Sequence, residues 1–178
     1  MADISDSQGS LLQTEVGNLE RVLLRHARDA FGSSELVKAQ WKGLNYLSQP
    51  RFDEACREYD QFAELLERLG VSIEWMEGGD LGLDSVYVRD ASIISDRGII
   101  LCAMEKGARS LEPYAQGRVF ERLGVPVHGK IEQTGTIEGG DVTWLDYRTL
   151  AVGRGYRTNE NGIGQLRELL PDVDILSV

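Results

Sequence analysis

The sequence predicts an α/β fold assembled from repeated units, each with a strand, a hairpin and a helix. Segments with helical spacing of apolar residues alternate with short runs of β-branched and aliphatic residues. The polar triplets at 96–98 and 146–148 each separate two such runs, as hairpin turns do. The tetrapeptide Glu-Gly-Gly-Asp at 77–80 recurs at 138–141, which hints at a duplicated unit. Since one such unit cannot cover its own apolar face, several units must pack side by side or around an axis.

Three helices are predicted from apolar periodicity and from residues that start or stop helices. The first begins at Phe52 and ends before Gly70, with an apolar residue at every third or fourth position. The second covers 111–123, between a serine and a glycine that suit its two ends. The third covers 160–170 and stops at Pro171, which cannot continue a helix.

Strands are predicted in most of the remaining segments, and a long polar connection is expected between the first strand and the first helix. The predicted strands are 21–26, 71–76, 85–88, 92–95, 99–103, 125–127, 142–145, 149–152 and 173–178.

Composition limits the classes of partner. The 178 residues are 42% hydrophobic, which suits one domain with an ordinary core. A net charge of −10 argues against nucleic acid or an anionic membrane as partner and is compatible with a cationic small molecule. The chain has two cysteines, no secretion signal and no apolar run near the ~20 residues that span a bilayer, so a cytoplasmic protein is expected.

The acidic residues Asp84 and Asp90 are the first candidates for a binding site. A guanidinium is a planar cation that carboxylates hold through paired hydrogen bonds, and this makes an arginine-like ligand plausible for such residues. On an extended strand the two would lie on one face but about 20 Å apart, so both reach one ligand only if the backbone bends between them. The alternative is that one or both simply cap turns.

Two further motifs sit at predicted strand ends. Glu138 precedes two glycines, which permit a tight turn and a close approach of backbone to ligand, although the same residues also suit a plain turn before a hairpin. Arg157 begins an Arg-Thr-Asn run and could clamp a substrate carboxylate, while Thr158 and Asn159 could cap the third helix. Both readings of that run can hold together.

The cysteines and histidines give no independent sign of catalysis. Cys102 lies in an apolar strand and Cys56 on the apolar face of the first predicted helix, so both are expected to be unreactive core residues. His128 is expected to be a solvent-facing strand end, and His26 has no nearby partner in sequence. No metal-ligand spacing exists, and no cofactor is expected.

The runs DSVYVRD (84–90), TIEGGDV (136–142) and GYRTN (155–159), in this order, resemble the superfamily of dimethylarginine dimethylaminohydrolases, arginine deiminases and amidinotransferases, known as penteins. The resemblance implies an α/β propeller of five strand-strand-helix-strand units around a central axis, with about three of the five units present. It divides the chain into a flexible N-terminal segment, 1–19, and a partial catalytic domain, 20–178, truncated at its C-terminus.

The resemblance also implies roles for individual residues. Asp90 matches the guanidinium-binding aspartate, and Glu138 matches the carboxylate that supports catalysis. Asp84 matches a substrate-contacting aspartate of the dimethylarginine hydrolases, and Arg157 matches their arginine for the substrate α-carboxylate. Arg109 is the candidate for a second carboxylate-binding arginine.

The sequence departs from the family in two respects. Arg89 stands where the dimethylarginine hydrolases have a glutamate, which leaves the exact substrate open. The catalytic histidine and cysteine of the family, which follow the RTN run and lie near the C-terminus, have no counterpart in the 178 residues.

The expected function follows from this resemblance. The complete protein is expected to hydrolyse an arginine-like substrate, such as arginine or a methylated arginine, through a cysteine thioether intermediate, while this chain alone is expected to be inactive. One alternative is transfer of the amidino group to an amine. The other is a non-catalytic module that binds a cationic amino acid or closes its open sheet edges by homo-oligomerisation.

Overall fold

A computed structural model describes residues 13–79 and 81–178 and confirms the mixed α/β class. Its strands are β1 (Arg21–Leu24), β2 (Ser72–Trp75), β3 (Ser92–Ser95), β4 (Gly98–Leu101), β5 (Val127–Lys130), β6 (Val142–Asp146), β7 (Thr149–Val152) and β8 (Asp174–Ser177). Its helices are α1 (Ala27–Phe31), α2 (Ser34–Gln40), α3 (Phe52–Arg68), α4 (Glu112–Arg122) and α5 (Glu160–Leu169). Across these two ranges, no helix is both long and apolar enough to cross a membrane.

The strands form three small sheets with a recurring topology. Strands β3 and β4 make an antiparallel hairpin, and β5 returns through α4 to pair parallel with β4. Strands β6 and β7 repeat the hairpin, and β8 returns through α5 to pair parallel with β7. Strands β1 and β2 form a parallel pair joined through α3, because a parallel connection needs a crossover. The described chain thus contains two strand-strand-helix-strand units and one strand-helix-strand unit.

The C-terminal ends of α3 and α4 and the start of α5 follow the chemistry expected from sequence, whereas Ser110 does not cap α4, whose N-cap is Leu111 without a side-chain hydrogen bond. Gly70 and Gly124 come just after α3 and α4 with φ of 83° and 75°, a left-handed conformation that glycine adopts without a Cβ penalty. The side chain of Asn159 accepts a hydrogen bond from the Gly162 amide at 2.8 Å and so caps the start of α5. The three predicted helices are therefore confirmed to within two residues at each end.

The largest core cluster joins the two three-stranded sheets to α5. Its fully buried side chains include Ile100, Ile137, Leu150, Ile163 and Leu166. The buried face of α5 packs against both hairpins. Because a densely packed interior does not deform freely, this packing holds the segments that connect to each sheet in place.

The segment around Asp84 differs from its prediction. Residues 85–88 were expected to form a strand, but Leu83–Val86 and Val88–Ala91 are two successive 3₁₀ turns. The Ser85 hydroxyl donates to the Gly82 carbonyl at 2.7 Å, and burial of Leu83 against α1 holds the first turn in place. Valine favours strands only where a partner strand is available, so this tertiary contact overrides the local preference.

The connection after β1 contains two helices that were not predicted. It was expected to be a long polar connection, and the short helices α1 and α2 lie within it. Ser33 caps α2 by accepting a hydrogen bond from the Leu36 amide at 3.2 Å. These helices have too few turns to show a clear periodicity, and their buried residues contact α3 and the turn at Leu83–Val86.

The predicted flexible segment 1–19 is described only from residue 13 onward, and residues 1–12 lie outside the described part of the chain. Gln13 is buried, and its side chain donates to the Tyr147 carbonyl at 2.6 Å and accepts from the Asp96 amide at 3.0 Å. Glu15 pairs with Arg89 at 2.8 Å. These contacts tie both residues to the segments around the two hairpins, and the flexibility of segment 1–19 stays a prediction.

The repeated tetrapeptide does not mark equivalent positions. Gly78 and Gly79 follow β2 with φ of 67° and 80°, and their carbonyls accept hydrogen bonds from buried Arg25. The second copy instead forms the 3₁₀ turn Gly139–Asp141 directly before β6. The turn Val88–Ala91 holds the corresponding place before β3, so the structural repeat and the sequence repeat do not coincide.

Candidate functional site

Two 3₁₀ turns that pack against each other place Asp90 and Glu138 close together. The turn Val88–Ala91 precedes β3, and Gly139–Asp141, just after Glu138, precedes β6. The turns pack so closely that a Cβ on Gly139 would lie 2.2 Å from the Arg89 carbonyl oxygen. The glycines predicted to permit a close approach therefore permit the approach of one turn to the other.

Glu138 is almost fully buried. Its Oε2 accepts a hydrogen bond from Arg157 Nη1 at 3.1 Å, and the side chain is 2% exposed. Its Oε1 is buried and has no hydrogen-bond partner. Burial raises the pKa of this carboxyl, and the hydrogen bond from Arg157 opposes that rise. A buried carboxylate oxygen without a donor is costly, and it marks a place where a ligand donor would be accepted.

Asp90 is held by a buried arginine. Arg109 Nη1 donates to Asp90 Oδ2 at 2.6 Å, while Nε and Nη2 donate to the two carboxylate oxygens of Glu112 at 3.0 and 2.8 Å. Nη2 also donates to the Tyr87 carbonyl at 3.1 Å. Burial alone would lower the pKa of Arg109, but its hydrogen bonds to Glu112 and Asp90 outweigh burial and raise it.

Arg109 is engaged mainly within the protein. Only 3% of the residue is exposed, and four of its five N–H groups donate to protein acceptors. One N–H of Nη1 remains, and the contact of Arg109 with a substrate carboxylate stays a prediction. Sequence reasoning missed Glu112, although its spacing of three residues from Arg109 is one that brings side chains together on a helical turn.

Asp84 is paired with a lysine that sequence reasoning also missed. Lys106 Nζ lies 2.5 Å from Asp84 Oδ2 and 2.8 Å from the Leu44 carbonyl oxygen. Tyr46, whose hydroxyl is buried, lies near this pair, and burial, together with Tyr87 and Asp84, raises its pKa. The segment from Asp84 to Asp90 is not extended, since it consists of two successive 3₁₀ turns.

The Arg-Thr-Asn run serves several purposes. The Arg157 side chain is 56% exposed, and its Nη1 donates one hydrogen bond to Glu138. Thr158 is fully buried, donates to Asp141 Oδ2 at 2.7 Å and accepts from the Glu138 amide at 3.2 Å. Asn159 caps α5. The capping alternative is therefore confirmed for Asn159, while Thr158 orients the backbone of Glu138.

The charges of the site almost cancel. Three cations contact four carboxylates, because Arg109 contacts both Asp90 and Glu112. The carboxylates are Asp84, Asp90, Glu112 and Glu138, and the cations are Lys106, Arg109 and Arg157. This cluster thus carries one uncompensated negative charge when all groups are ionised.

Asp90 also borders an open cleft of about 440 Å³. Gly140 lies next to it, and Tyr59, Phe62 and Tyr87 contribute aromatic surface. Aromatic faces attract cations, so this wall and one carboxylate are compatible with a cationic ligand.

The cysteines are confirmed as core residues. Cys102 and Cys56 are 5% and 8% exposed, and burial raises the pKa of both thiols. Asp90 and Glu138 add to the rise at Cys102. Neither thiol is poised to ionise near neutral pH.

The histidines have partners that the sequence did not reveal. His26 is buried, caps α1 and lies 3.0 Å from an Asp60 carboxylate oxygen. His128 is half-buried with Nε2 2.9 Å from the Leu169 carbonyl oxygen, so the prediction of a solvent-facing side chain is wrong. Within 13–79 and 81–178, no three histidine, cysteine or acidic residues are grouped so that they could hold a metal ion.

Comparison with known proteins identifies the family of this chain. The family model for arginine deiminase matches residues 84–174, which is just over half of the chain. An N(G),N(G)-dimethylarginine dimethylaminohydrolase from Streptomyces coelicolor is 32% identical over 113 residues, covering 64% of this chain and 43% of that protein. The chain spans less than half the length of the curated relatives it matches.

Solved structures of the same superfamily share the fold. A dimethylarginine dimethylaminohydrolase from Pseudomonas aeruginosa, complexed with citrulline, matches with a TM-score of 0.72 and 20% identity over 91% of this chain and 62% of that one. SxtG, an amidinotransferase from Microseira wollei, matches with a TM-score of 0.65 and 15% identity over 90% of this chain and 61% of that one. The chain belongs to the arginine deiminase family, within the pentein superfamily of guanidino-group-modifying proteins.

Proposed function

We propose that this chain forms the guanidino-binding part of an enzyme that hydrolyses an arginine-like substrate through a cysteine thioether intermediate. The observation that carries the proposal is the buried Oε1 of Glu138, which has no donor and lies in the cluster that contains Asp90. A guanidinium supplies coplanar N–H donors together with one positive charge. That charge would neutralise the one uncompensated carboxylate of the cluster.

The proposed roles follow from exposure and hydrogen bonding. Asp90 Oδ1 and Glu138 Oε1 accept N–H groups of the substrate guanidinium. Arg157 binds the substrate α-carboxylate, because its side chain is half exposed and only one of its N–H groups donates to Glu138. Asp84 contributes negative charge, and a substrate cation that contacts it directly must displace Lys106 Nζ.

The covalent steps need a nucleophile that these residues do not provide. A thiolate attacks the guanidinium carbon, an amine leaves with a proton, and an amidino thioether remains. A histidine then removes a proton from water, which attacks the same carbon, and the C–S bond breaks to give a ureido product. Because Cys56 and Cys102 are buried with raised pKa values, we propose that this thiol and this histidine lie outside the 178 residues.

We also propose that residues 20–178 form part of a five-unit propeller. Support comes from the repeated strand-strand-helix-strand topology and from similarity to longer pentein structures. An active site at the axis of such a propeller would draw its residues from the turns that precede successive sheets, as Asp90 and Glu138 do here.

Two alternatives have specific support. Amidino transfer to an amine requires the same guanidinium site, and the likeness to an amidinotransferase concerns the fold. A non-catalytic binding module is favoured for this chain alone by the burial of both thiols. All three proposals share the guanidinium site, so its occupancy is the first property to test.

The test is titration of the chain with arginine, asymmetric dimethylarginine and ornithine by calorimetry. We expect saturable binding of the two guanidines and much weaker binding of ornithine, which has an ammonium group instead. Glu138→Gln should weaken guanidine binding. The control is Glu132→Gln, since Glu132 is exposed and pairs only with exposed Lys130 among ionic partners. Equal affinity for ornithine, or an unaffected Glu138→Gln variant, would contradict the proposed site.

A further inference from the structure

We propose that Glu15 and Arg89 form a clip that holds together the two 3₁₀ turns of the candidate site and thereby sets its affinity for a guanidinium. The inference rests on the proposed guanidino site and adds two positioning residues to it. Glu15 lies in the segment before β1, for which the sequence predicts no function.

The proposed site depends on the spacing between two units of the fold. Asp90 lies in the turn Val88–Ala91, which precedes β3. Glu138 directly precedes the turn Gly139–Asp141, which leads into β6. Strands β3 and β6 are outer strands of different sheets, so no backbone ladder joins them within the described residues. A guanidinium that bridges both carboxylates needs them at a fixed separation, because hydrogen bonds weaken steeply as their geometry is lost.

Arg89 joins the two turns directly. It belongs to the first turn, and its Nη2 donates at 2.9 Å to the carbonyl of Val142, the residue that follows the second turn. Its own carbonyl oxygen lies against Gly139, where a Cβ would be 2.2 Å away. A backbone contact and a side-chain hydrogen bond therefore hold the same pair of turns, and the hydrogen bond depends on the orientation of the Arg89 guanidinium.

Glu15 holds that guanidinium in place. Its Oε1 accepts a hydrogen bond from Arg89 Nη2 at 2.8 Å and another from the Trp144 amide of β6 at 3.4 Å. The Trp144 indole in turn donates to the Ile94 carbonyl of β3 at 3.0 Å. One carboxylate oxygen of Glu15 thus contacts a side chain of the β3 unit and the backbone of the β6 unit.

The position of Glu15 is itself fixed by the residue two places earlier. Gln13 is buried, and it accepts from the Asp96 amide at 3.0 Å and donates to the Tyr147 carbonyl at 2.6 Å. Asp96 and Tyr147 lie in the turns of the β3–β4 and β6–β7 hairpins. Segment 13–15 therefore joins the two units at two places, one at the hairpin turns and one beside the turns of the site.

A second exposed ion pair joins the same two units and provides a comparison. Arg97, in the β3–β4 turn, pairs with Asp172, which precedes β8, at 2.6 Å. Exposed ion pairs contribute little to the free energy of unfolding, so this pair and the Glu15–Arg89 pair should matter about equally for stability. Arg97 lies at the opposite end of β3 from the site turn, so only loss of the Glu15–Arg89 pair should alter affinity.

The test is calorimetry with arginine, together with thermal unfolding of each variant. We expect Glu15→Ala to weaken arginine binding about 3- to 5-fold, a range that the loss of one exposed ion pair allows. Glu15→Gln should stay within about twofold of wild type, because its amide oxygen still accepts both hydrogen bonds. The control Asp172→Ala should change the melting temperature by as much as Glu15→Ala does, with no change in affinity.

The Arg89→Met variant tests whether Glu15 acts through Arg89. Alone it should weaken arginine binding about 3- to 10-fold, because it also loses the hydrogen bond to Val142. Adding Glu15→Ala should then weaken binding no further, whereas independent effects would multiply. Multiplied effects, wild-type affinity in Glu15→Ala, or an equal loss of affinity in Asp172→Ala overturns the inference.

Amide hydrogen exchange decides the inference without a ligand. The amides of Asp141 and Asp90 each close a turn by donating to a carbonyl three residues earlier, at 2.9 and 3.2 Å, so their exchange reports opening of the turns. Both should exchange faster in Glu15→Ala than in wild type or Asp172→Ala, and unchanged exchange overturns the inference. If the wild-type chain binds no guanidine, the proposed function fails, while this measurement still decides whether the clip holds the turns.

Discussion

Substitutions at the adjacent residues Gly139 and Gly140 should affect different properties, one the stability of the protein and the other its affinity for a ligand. Gly140→Ala would place a Cβ 2.5 Å from Asp90 Oδ1, whereas Gly139→Ala would place one 2.2 Å from the Arg89 carbonyl and 2.7 Å from the Ser92 carbonyl. The first clash involves the end of a side chain, and the second involves backbone on both sides. Neither glycine has a positive φ, so alanine causes no backbone strain at either position.

The size of each effect follows from what must move. For Gly140→Ala, Asp90 Oδ1 must retreat by roughly 1 Å to reach an ordinary contact, which misdirects its hydrogen bond to a guanidinium. A hydrogen bond to a charged group contributes about 1.5–3 kcal/mol, so we expect arginine affinity to fall about 10- to 150-fold. For Gly139→Ala, two turns must separate, and overpacking of this kind costs about 1–3 kcal/mol.

The assay combines calorimetry with arginine and thermal unfolding followed by circular dichroism. Gly140→Ala should bind arginine weakly with a melting temperature within about 2 °C of wild type, since losing glycine flexibility partly offsets the strain. Gly139→Ala should lower the melting temperature by about 2–4 °C for each kcal/mol lost. Wild-type affinity in Gly140→Ala would refute the claim that Asp90 Oδ1 meets the ligand, and equal melting temperatures would refute the claim that the turns are in contact.

Four further outcomes are expected. Lys106→Met should raise arginine affinity several-fold and lower thermal stability, because it leaves the buried Asp84 carboxylate without its cation, and a titration paired with a melting curve measures both. Burial raises the pKa of Glu138, so arginine affinity should fall as the pH drops toward that pKa and the carboxylate takes up a proton. The Glu138→Gln variant should show a weaker dependence of arginine affinity on pH. An equally steep dependence in that variant would contradict the role of Glu138. Cys102 should resist alkylation by iodoacetamide in the native protein and react after unfolding in guanidinium chloride, and rapid native labelling would contradict its burial. Asn159→Ala should cost about 1 kcal/mol of stability through loss of the α5 cap, measured by urea unfolding.

Local signals were sufficient for most of the secondary structure. The periodicity of α3, its glycine stop and the caps of the later helices all act within a few residues, so the sequence alone locates them. The same holds for the hairpins that join β3 to β4 and β6 to β7. Local signals failed at 85–88, where strand-favouring valines lie in 3₁₀ turns, because the deciding contact is with α1.

In the candidate site, too, the sequence identified individual residues but not their tertiary contacts. The carboxylates at 84, 90 and 138 and the arginine at 157 were identified from motifs, yet their partners were not. Lys106 and Glu112 carry no motif, although they pair with Asp84 and Arg109. Side-chain partners depend on which turns pack together, and a sequence pattern does not show how close two distant turns lie in the folded chain.

The sequence by itself determined the α/β class, the repeated unit and the residues that resemble a guanidino site, because propensity, capping and motif order are properties of neighbouring residues. The tertiary structure alone decided which carboxylates are buried, which cation neutralises each of them, and which oxygen of Glu138 remains without a donor. Burial and ion pairing arise when distant segments exclude water together. They therefore appear only after the turns before β3 and β6 have packed against each other.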